Sequence, residues 1–530
     1  MTQPGNVAAC VRKLEALWTA ILGIHAATPE DNFFSLGGNS LVLVHLLASI
    51  QGEFGVVLEP DILFDHPTLQ EMAEQIVRHQ TRSASHDGPV ALGRVAKRVS
   101  PNQERHWIFR DKRIRLYNLY YEANISGLDS PARLLGAFAD TVENNRVFKF
   151  IFQRREDGVY AVPCDEVPAL TLTDLRNIDP REGAGRLEES RRRVSASDFD
   201  IWREVAFSAE YAMTGPGEGV LMFCANHILL DLESLGIFFA ELYARYCDLP
   251  VRAKEIDFYD VAAWQRHTES VTPEALEGYW RQKLAPYTQT LRFSGRNRPE
   301  AHVGTGAVEK LAIVDPKALR FLRSVDSTRP PLFIKVMSTI ALAVFAQYQE
   351  APLAISYPTA VRPHPAAADI VGNFLTHNFF ILDPREDVDL TGWLAANNRQ
   401  FIADVIHRQL NILDKEALLP ASMQTFYGKC QIRYQFYDMT LGAPPPSGSL
   451  QIRRPEERFE KALADLHFFV ELRESSLHIM LVYYSAIFSR EEILALLHRL
   501  KLAIESLESL TSLPLPSIVA RLGMVAHSRG

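Results

Sequence analysis

The sequence predicts a small helical unit followed by a larger mixed α/β body. Three observations carry that division. At 530 residues the chain exceeds what one hydrophobic core usually holds, so two or three folding units are expected. The first 80 residues carry apolar side chains at helical spacing and an acidic excess of their own. Beyond them, a strand-like run followed by helical spacing occurs at 220–242, and an alternating strand followed by a helix at 477–507.

Composition bounds the function. The chain is 47% hydrophobic and 10% aromatic, which is ordinary globular material. No apolar run reaches the ~20 residues of a membrane-spanning helix. The start, Met1-Thr2-Gln3-Pro4-Gly5, lacks the basic-then-apolar pattern of a secretory signal. The five cysteines, Cys10, Cys164, Cys224, Cys247 and Cys430, are scattered, odd in number and without CxxC spacing. That argues against a disulfide framework or a zinc site and fits a reducing cytoplasm. The net charge of −8 is uneven: residues 1–80 hold nine acidic and three basic residues, a net −6, leaving −2 for the other 450. An acidic small unit on a near-neutral body is expected to dock on basic patches of protein partners. There is no basic stripe for nucleic acid. No nucleic acid, membrane or metal is expected.

In chain order, Val7, Val11, Leu14, Leu17, Trp18, Ile21 and Leu22 recur three and four apart and predict a helix over 6–22. Gly37-Gly38 marks a turn, and Ser40 opens a second helix over 41–50. A serine there exposes its hydroxyl and can cap the helix, whose N-terminus also favours a phosphate; a plain capping serine would look the same. The wider stretch, Asp31-Asn32-Phe33-Phe34 followed by Leu36-Gly37-Gly38 and Ser40-Leu41, resembles the signature of thiolation (peptidyl carrier) domains of nonribosomal peptide synthetases. The resemblance runs on through Phe54-Gly55 and 63–69 to a last helix near 72–76. It implies an all-α four-helix carrier over 1–80. It also implies that a phosphopantetheinyl transferase attaches 4'-phosphopantetheine to Ser40, whose thiol then holds an acyl group as a thioester. Asn39 stands where many relatives have histidine.

Residues 81–98, small and polar with a Gly88-Pro89 break, read as a flexible linker.

The strand at 220–225 opens onto a polar pair, Asn226 and His227. Asp231 follows, then helical spacing at Leu235, Phe238, Phe239 and Leu242. A strand end presents side chains from a rigid support, and an imidazole of pKa about 6.5 suits proton transfer near neutrality. The alternative is a hydrogen-bonded core histidine with a helix-capping aspartate. Around this stretch the chain resembles condensation domains of the same synthetases. Ser100, Gln103, Arg105 and Trp107 match the opening motif. Asn226-His227 to Asp231-Leu232 falls on the family's His-His-x-x-x-Asp-Gly, with Ser234 and Gly236 continuing it. Phe258 to Arg266, Tyr279-Trp280-Arg281, Ile370 to His377, and the strand and helix at 477–507 follow in order, while only the outline of another family helix survives at 142–152.

This second resemblance implies an α/β condensation domain of two chloramphenicol-acetyltransferase-like lobes, 99–275 and 276–530. They would meet in a V around a tunnel with His227 midway. An acceptor amine attacks a thioester carbonyl there, and His227 takes the amine proton or fixes the nucleophile. General-base help is worth about 10²–10⁴-fold, and orientation of tethered reactants can exceed it. Asp231 is implied to brace the loop by pairing with an arginine, for which Arg362 is the candidate, and it can also cap the following helix. Asn226 replaces the first histidine, a mainly structural position. Leu232 replaces the glycine and is expected to narrow the passage or move the loop. Thr376 replaces the usual asparagine, and no acceptor-side Pro-Phe-Glu is recognisable near 407–412. His377 and His407 read as structural. Gly304-Thr305-Gly306 lacks the context of a dinucleotide site.

The expected function is amide formation between a donor on Ser40 and an amine, free or on a separate downstream carrier, with loading by an adenylation enzyme in trans. The alternatives are an inactive platform presenting the carrier-bound intermediate to partner enzymes, and ester formation with an alcohol.

Overall fold

In a computed structural model the described residues are 4–22, 24, 26–33, 36, 46–47, 49–50, 53–54, 56, 58, 62–63, 66–80, 88–108, 118–269, 274–287, 291–293, 306–324, 330–360, 362, 364–407, 410, 412–419, 431–438, 451–453 and 464–524. Among them no helix is long and apolar enough to cross a membrane.

The first unit is helical where described. Helix α1 (Pro4–Leu22) and helix α2 (Leu69–Gln80) pack together. They share a core of Leu14, Trp18, Phe33, Leu46, Ile50, Leu63, Met72 and Ile76. The apolar face expected over 6–22 is therefore the buried one. Thr68 and Glu71 cap α2 reciprocally: the Thr68 amide donates to Glu71 Oε2 (3.1 Å) and the Glu71 amide to Thr68 Oγ1 (3.3 Å), which meets two otherwise unpaired amides. The Gly37-Gly38 turn and Ser40 lie outside the described residues. Phe33 before them and Leu46 after them are both fully buried in the same core.

In the stretch expected as a linker, residues 90–95 are exposed and Lys97 is buried. The Leu92 amide donates to Asp260 Oδ1 (3.0 Å). Strand β1 (Lys97–Arg98) pairs with β4 (Gly158–Pro163), which pairs with β3 (Phe150–Arg155). Lys97 Nζ stands 2.7 Å from both Asp257 and Asp260, all three side chains being nearly inaccessible. Burial and the neighbouring Asp260 push the Asp257 carboxyl above the usual carboxylate range. Replacing Lys97 by Met strands two buried carboxylates. The Lys97→Met variant should lose about 3–5 kcal/mol in urea denaturation.

The large body has two sheets. The first has the order β12-β2-β7-β6-β5: β2 (Asn118–Ser126), β5 (Leu170–Asp174), β6 (Phe207–Gly215), β7 (Glu218–Asn226) and β12 (Gln451–Arg453). It is covered by α4 (Pro131–Asn144), α5 (Pro180–Ser195) and α6 (Leu232–Tyr246), with α3 (Pro101–Ile108) and α7 (Phe258–Glu269) nearby. Strand β7 is central and buried from Gly219 to Asn226, so it reads as one apolar run rather than an alternation. The second sheet has the order β10-β9-β11-β13-β14-β8: β8 (Gly306–Ile313), β9 (Leu353–Ala360), β10 (Leu375–Leu382), β11 (Ile432–Asp438), β13 (Leu466–Arg473) and β14 (Ser476–Tyr484). Helix α10 (Leu332–Tyr348), apolar almost all round, fills its core; such a helix belongs inside. It completes a series with α8 (Glu274–Leu284) and α9 (Pro316–Arg323) before it. After it come α11 (Leu390–Ile406), α12 (Ile412–Ala417), α13 (Arg490–Leu510) and α14 (Leu515–Met524).

Elements of the second half of the chain reach into the first lobe, and α12 packs against α3. Strand β12 comes from the second half of the chain yet pairs with β2 of the first sheet, Arg453 opposite Asn124. Ala367, Ile370, Val371 and Phe374, also from the second half, are buried in the core of the first lobe. A three-residue edge strand carries too little pattern to be seen in sequence.

Candidate active site

The site is a four-residue loop, 227–230, between β7 and α6. The extended, buried β7 brings Asn226 and His227 to the junction of the lobes, and Asp231 starts α6. Several backbone groups of the loop are held by side chains of different elements. The Asn373 side-chain amide donates to the His227 carbonyl (2.7 Å). Gln103 Nε2 donates to the Ile228 carbonyl (2.7 Å). The Ile228 amide donates to Asn226 Oδ1 (3.1 Å), and Asn226 Nδ2 to Asn118 Oδ1 (3.0 Å). Asn102 Nδ2 in turn donates to Asn373 Oδ1 (3.1 Å). Residues from α3, the start of β2 and the segment before β10 thus fix one short loop. Asn226 is a strut of this loop, its side-chain amide holding the Ile228 amide and Asn118.

His227 Nδ1 lies 2.8 Å from the Leu230 carbonyl. A carbonyl only accepts, so Nδ1 carries the proton and the lone pair sits on Nε2. Burial pushes the imidazole pKa below its ordinary value. The charge of Asp231 and the Leu230 carbonyl oppose that shift, and the Arg433 charge adds to it. The ring is therefore neutral at pH 7, with a basic nitrogen of defined position.

Asp231 is fully buried and spends both oxygens on backbone amides. Oδ1 accepts from Ser234, capping α6 (2.7 Å), and Oδ2 accepts from Phe374 across the lobe junction (2.9 Å). Ser234 Oγ accepts from the Gly372 amide (3.0 Å) and donates to the Gly372 carbonyl (2.7 Å), while the Asp231 amide donates to the same carbonyl (3.1 Å). Asp231 and Ser234 are thus a clasp on 372–374. Gly372 is required by it, because a Cβ there would come within 2.1 Å of the Phe258 ring. Arg362 joins the clasp as well. Its Nη2 is 4.0 Å from Asp231 Oδ1, and its shorter contacts are Ser234 Oγ at 3.0 Å and Glu233 at 2.8 Å. Each carboxylate oxygen holds a backbone amide closely, and the guanidinium lies at the edge of ion-pair distance.

Neither Leu232 nor Gly236 has a positive φ. Leu232 is the first residue of α6 and has no positive φ; its side chain packs against the first-lobe core. Glycine is not needed there for backbone reasons. Gly236 is expected to support the site, but a Cβ on it would meet nothing within 4 Å. Packing does not require it. The Gly236→Ala variant should gain about 0.5–1 kcal/mol of stability from helix propensity alone, read as a higher urea midpoint. His407 is structural: it stacks on Tyr279 with centroids 3.9 Å apart and its Nδ1 lies 2.8 Å from the Ala403 carbonyl. Sequence reasoning missed Asn373 and Asn102 and gave Gln103 no role. Only the Gln103 signal was present, as part of a matched motif.

This junction of a histidine loop with a clasp across two lobes is matched in sequence. Residues 96–520 match the family model of the condensation domain, and residues 12–76 that of the phosphopantetheine attachment site. The chain belongs to the condensation-domain family. Its condensation domain follows a carrier domain that is a phosphopantetheine attachment site, the arrangement of nonribosomal peptide synthetases, and amide-bond formation is the general reaction of the family. The chain is 25% identical over 522 residues to the dimodular nonribosomal peptide synthase of Bacillus subtilis (strain 168), covering 93% of this chain and 21% of that protein. It is 20% identical over 485 residues to surfactin synthase subunit 1 of the same organism, covering 90% and 13%. The chain thus spans a small part of these relatives. Among solved structures, the X-domain from teicoplanin biosynthesis superposes with a TM-score of 0.68 at 19% identity, over 81% of this chain and 99% of that one. The starter condensation domain of rhizomide synthetase RzmA superposes with a TM-score of 0.65 at 14% identity, over 80% and 98%. These likenesses establish the two-lobed chloramphenicol-acetyltransferase-like fold of the condensation domain.

Proposed function

We propose that the condensation domain forms an amide between an acyl group carried on Ser40 and an amine acceptor, with His227 as the catalytic base. The observation that carries this reading is the tautomer of His227, set by the Leu230 carbonyl. In the reaction the amine nitrogen bonds to the thioester carbonyl carbon, the C–S bond breaks, and the pantetheine sulfur leaves with the electron pair. His227 Nε2 accepts the amine proton and passes it to the sulfur. Asp231, Ser234 and Arg362 position the loop, and Asn226 braces it. Phosphopantetheine on Ser40 supplies the thiol. The proposed partners are a phosphopantetheinyl transferase, an adenylation enzyme acting in trans, and an acceptor that is a small amine or a separate downstream carrier. A cytoplasmic setting follows from the free thiol chemistry of such an arm.

A second reading is an inactive platform for partner enzymes. It draws on the solved complex of the X-domain and OxyB from teicoplanin biosynthesis, a chain that superposes here with a TM-score of 0.67. One experiment separates the two. The chain is acylated with an acyl-coenzyme A and a transferase, intact mass confirms modification of Ser40 against Ser40→Ala, and amines and alcohols are then added. Amide product from wild type and none from His227→Ala supports the first reading; stable acyl-carrier with every acceptor supports the platform. Product from alcohols alone assigns ester formation.

A further inference from the structure

Helix α3 offers two consecutive carboxamides to two consecutive carbonyls of the reaction loop. Gln103 Nε2 donates directly to the Ile228 carbonyl (2.7 Å). Asn102 Nδ2 donates to Asn373 Oδ1 (3.1 Å), and Asn373 Nδ2 donates to the His227 carbonyl (2.7 Å). Asn102, Gln103 and Asn373 are all buried, where such bonds are stronger than in water.

The direction of each carboxamide is fixed by chemistry, because a backbone amide only donates and a carbonyl only accepts. Asn373 Oδ1 accepts from the Leu375 amide (3.2 Å), so the Nδ2 end faces His227. Gln103 Oε1 accepts from the Ser100 amide (3.0 Å), while the Gln103 amide donates to Ser100 Oγ (3.2 Å). That reciprocal pair caps α3 and leaves Gln103 Nε2 for the loop. Asn102 donates to the Asn373 oxygen, and its own Oδ1 has no partner among the described residues. Asn102 thus acts on Asn373, one bond removed from the loop. The His227 carbonyl carbon is bonded to the Cα that bears the imidazole, and the ring returns to the loop through Nδ1 at the Leu230 carbonyl (2.8 Å). A shift of either held carbonyl moves the root of the ring against that anchor, and Nε2 with it.

We propose that the first turn of α3 aims the imidazole. Gln103 directly, and Asn102 through Asn373, are positioning residues that fix where Nε2 stands by holding the backbone beneath it. This rests on the amide-forming reading, in which Nε2 takes the amine proton. A proton acceptor must stand within hydrogen-bond reach of the amine, and a displacement of about 1 Å can cost about 10²-fold in rate. Asn102 is the decisive member, because its effect on transfer has to pass through Asn373. A plain packing role would not order the two residues in that way.

The test uses the full chain in its phosphopantetheinylated form, with glycinamide as the amine probe. Single-turnover transfer from acylated Ser40 at saturating amine should slow about 10–100-fold in Asn373→Ala and about 3–10-fold in Asn102→Ala, with the half-saturating amine concentration unchanged. In the double variant Asn102→Ala should add nothing to Asn373→Ala. A second measurement needs no turnover. In wild type the ¹⁵N spectrum should show one protonated and one unprotonated imidazole nitrogen for His227, assigned by their loss in His227→Gln. In Asn373→Ala these two signals should move toward each other as the second tautomer is populated. If Asn373→Ala fails to fold, Asn102→Ala reports both the rate and the nitrogen signals. Moved nitrogen signals in the variants, with no transfer from wild type to any amine, keep the positioning role and remove the amide-forming reading. Variants that lose urea stability but keep wild-type signals and saturating rates, or a double variant in which the two losses multiply, overturn the positioning role.

Discussion

The His227→Ala variant, acylated on Ser40, should transfer its acyl group to an amine about 10²–10⁴-fold more slowly than wild type in a single turnover. The structure provides one imidazole at the loop, held in one tautomer, with its pKa below the ordinary value. Removing it removes the proton acceptor but leaves the clasp and the sheets untouched. Leaving the buried Leu230 carbonyl without this donor costs about 1–3 kcal/mol, read in urea denaturation. His227→Gln can still donate to that carbonyl and lacks a base near neutral pH. It should fold like wild type and be as slow as His227→Ala. A His227→Gln variant of near wild-type rate would mean that the imidazole only orients the amine.

The Asp231→Ala variant should lose about 3–5 kcal/mol of stability in urea denaturation. One buried carboxylate serves an α6 cap, an amide of the opposite lobe and a nearby guanidinium. Losing a helix cap costs about 0.5–2 kcal/mol. An unpaired buried amide adds about 1–3, and Arg362 loses part of its counter-charge. Asp231→Asn keeps one acceptor oxygen and should lose about half as much. Transfer should fall in both variants because the loop and 372–374 move together, although Asp231 does not hydrogen-bond the imidazole.

The carrier's framing residues and the stretch from β7 into α6 were legible in sequence because they are local patterns. An amphipathic face, a buried strand and a polar pair at its end all lie within a few residues of one another. The family resemblance supplied the rest of the order. What stayed hidden depends on distant pairing. Strand β12 is three residues long and joins a sheet more than 300 positions away in sequence. Asn102 and Asn373 meet over 271 positions. The resemblance puts Arg362 in the neighbourhood of Asp231, but only three dimensions show that two backbone amides lie closer to the carboxylate than the guanidinium does. The narrowing expected at Leu232 assumes a glycine whose backbone freedom this chain does not use.

Whether a neutral imidazole at position 227 removes the amine proton is decided by the ratio of single-turnover transfer rates, wild type to His227→Ala. It is measured across pH so that ionisation of the amine cancels. Because the folded pKa lies below about 6.5, the ratio should stay near 10²–10⁴ from pH 8 down to about 6.5 and decline only on further acidification. A ratio near one throughout, or a decline centred above pH 7, would show that His227 is not the proton acceptor.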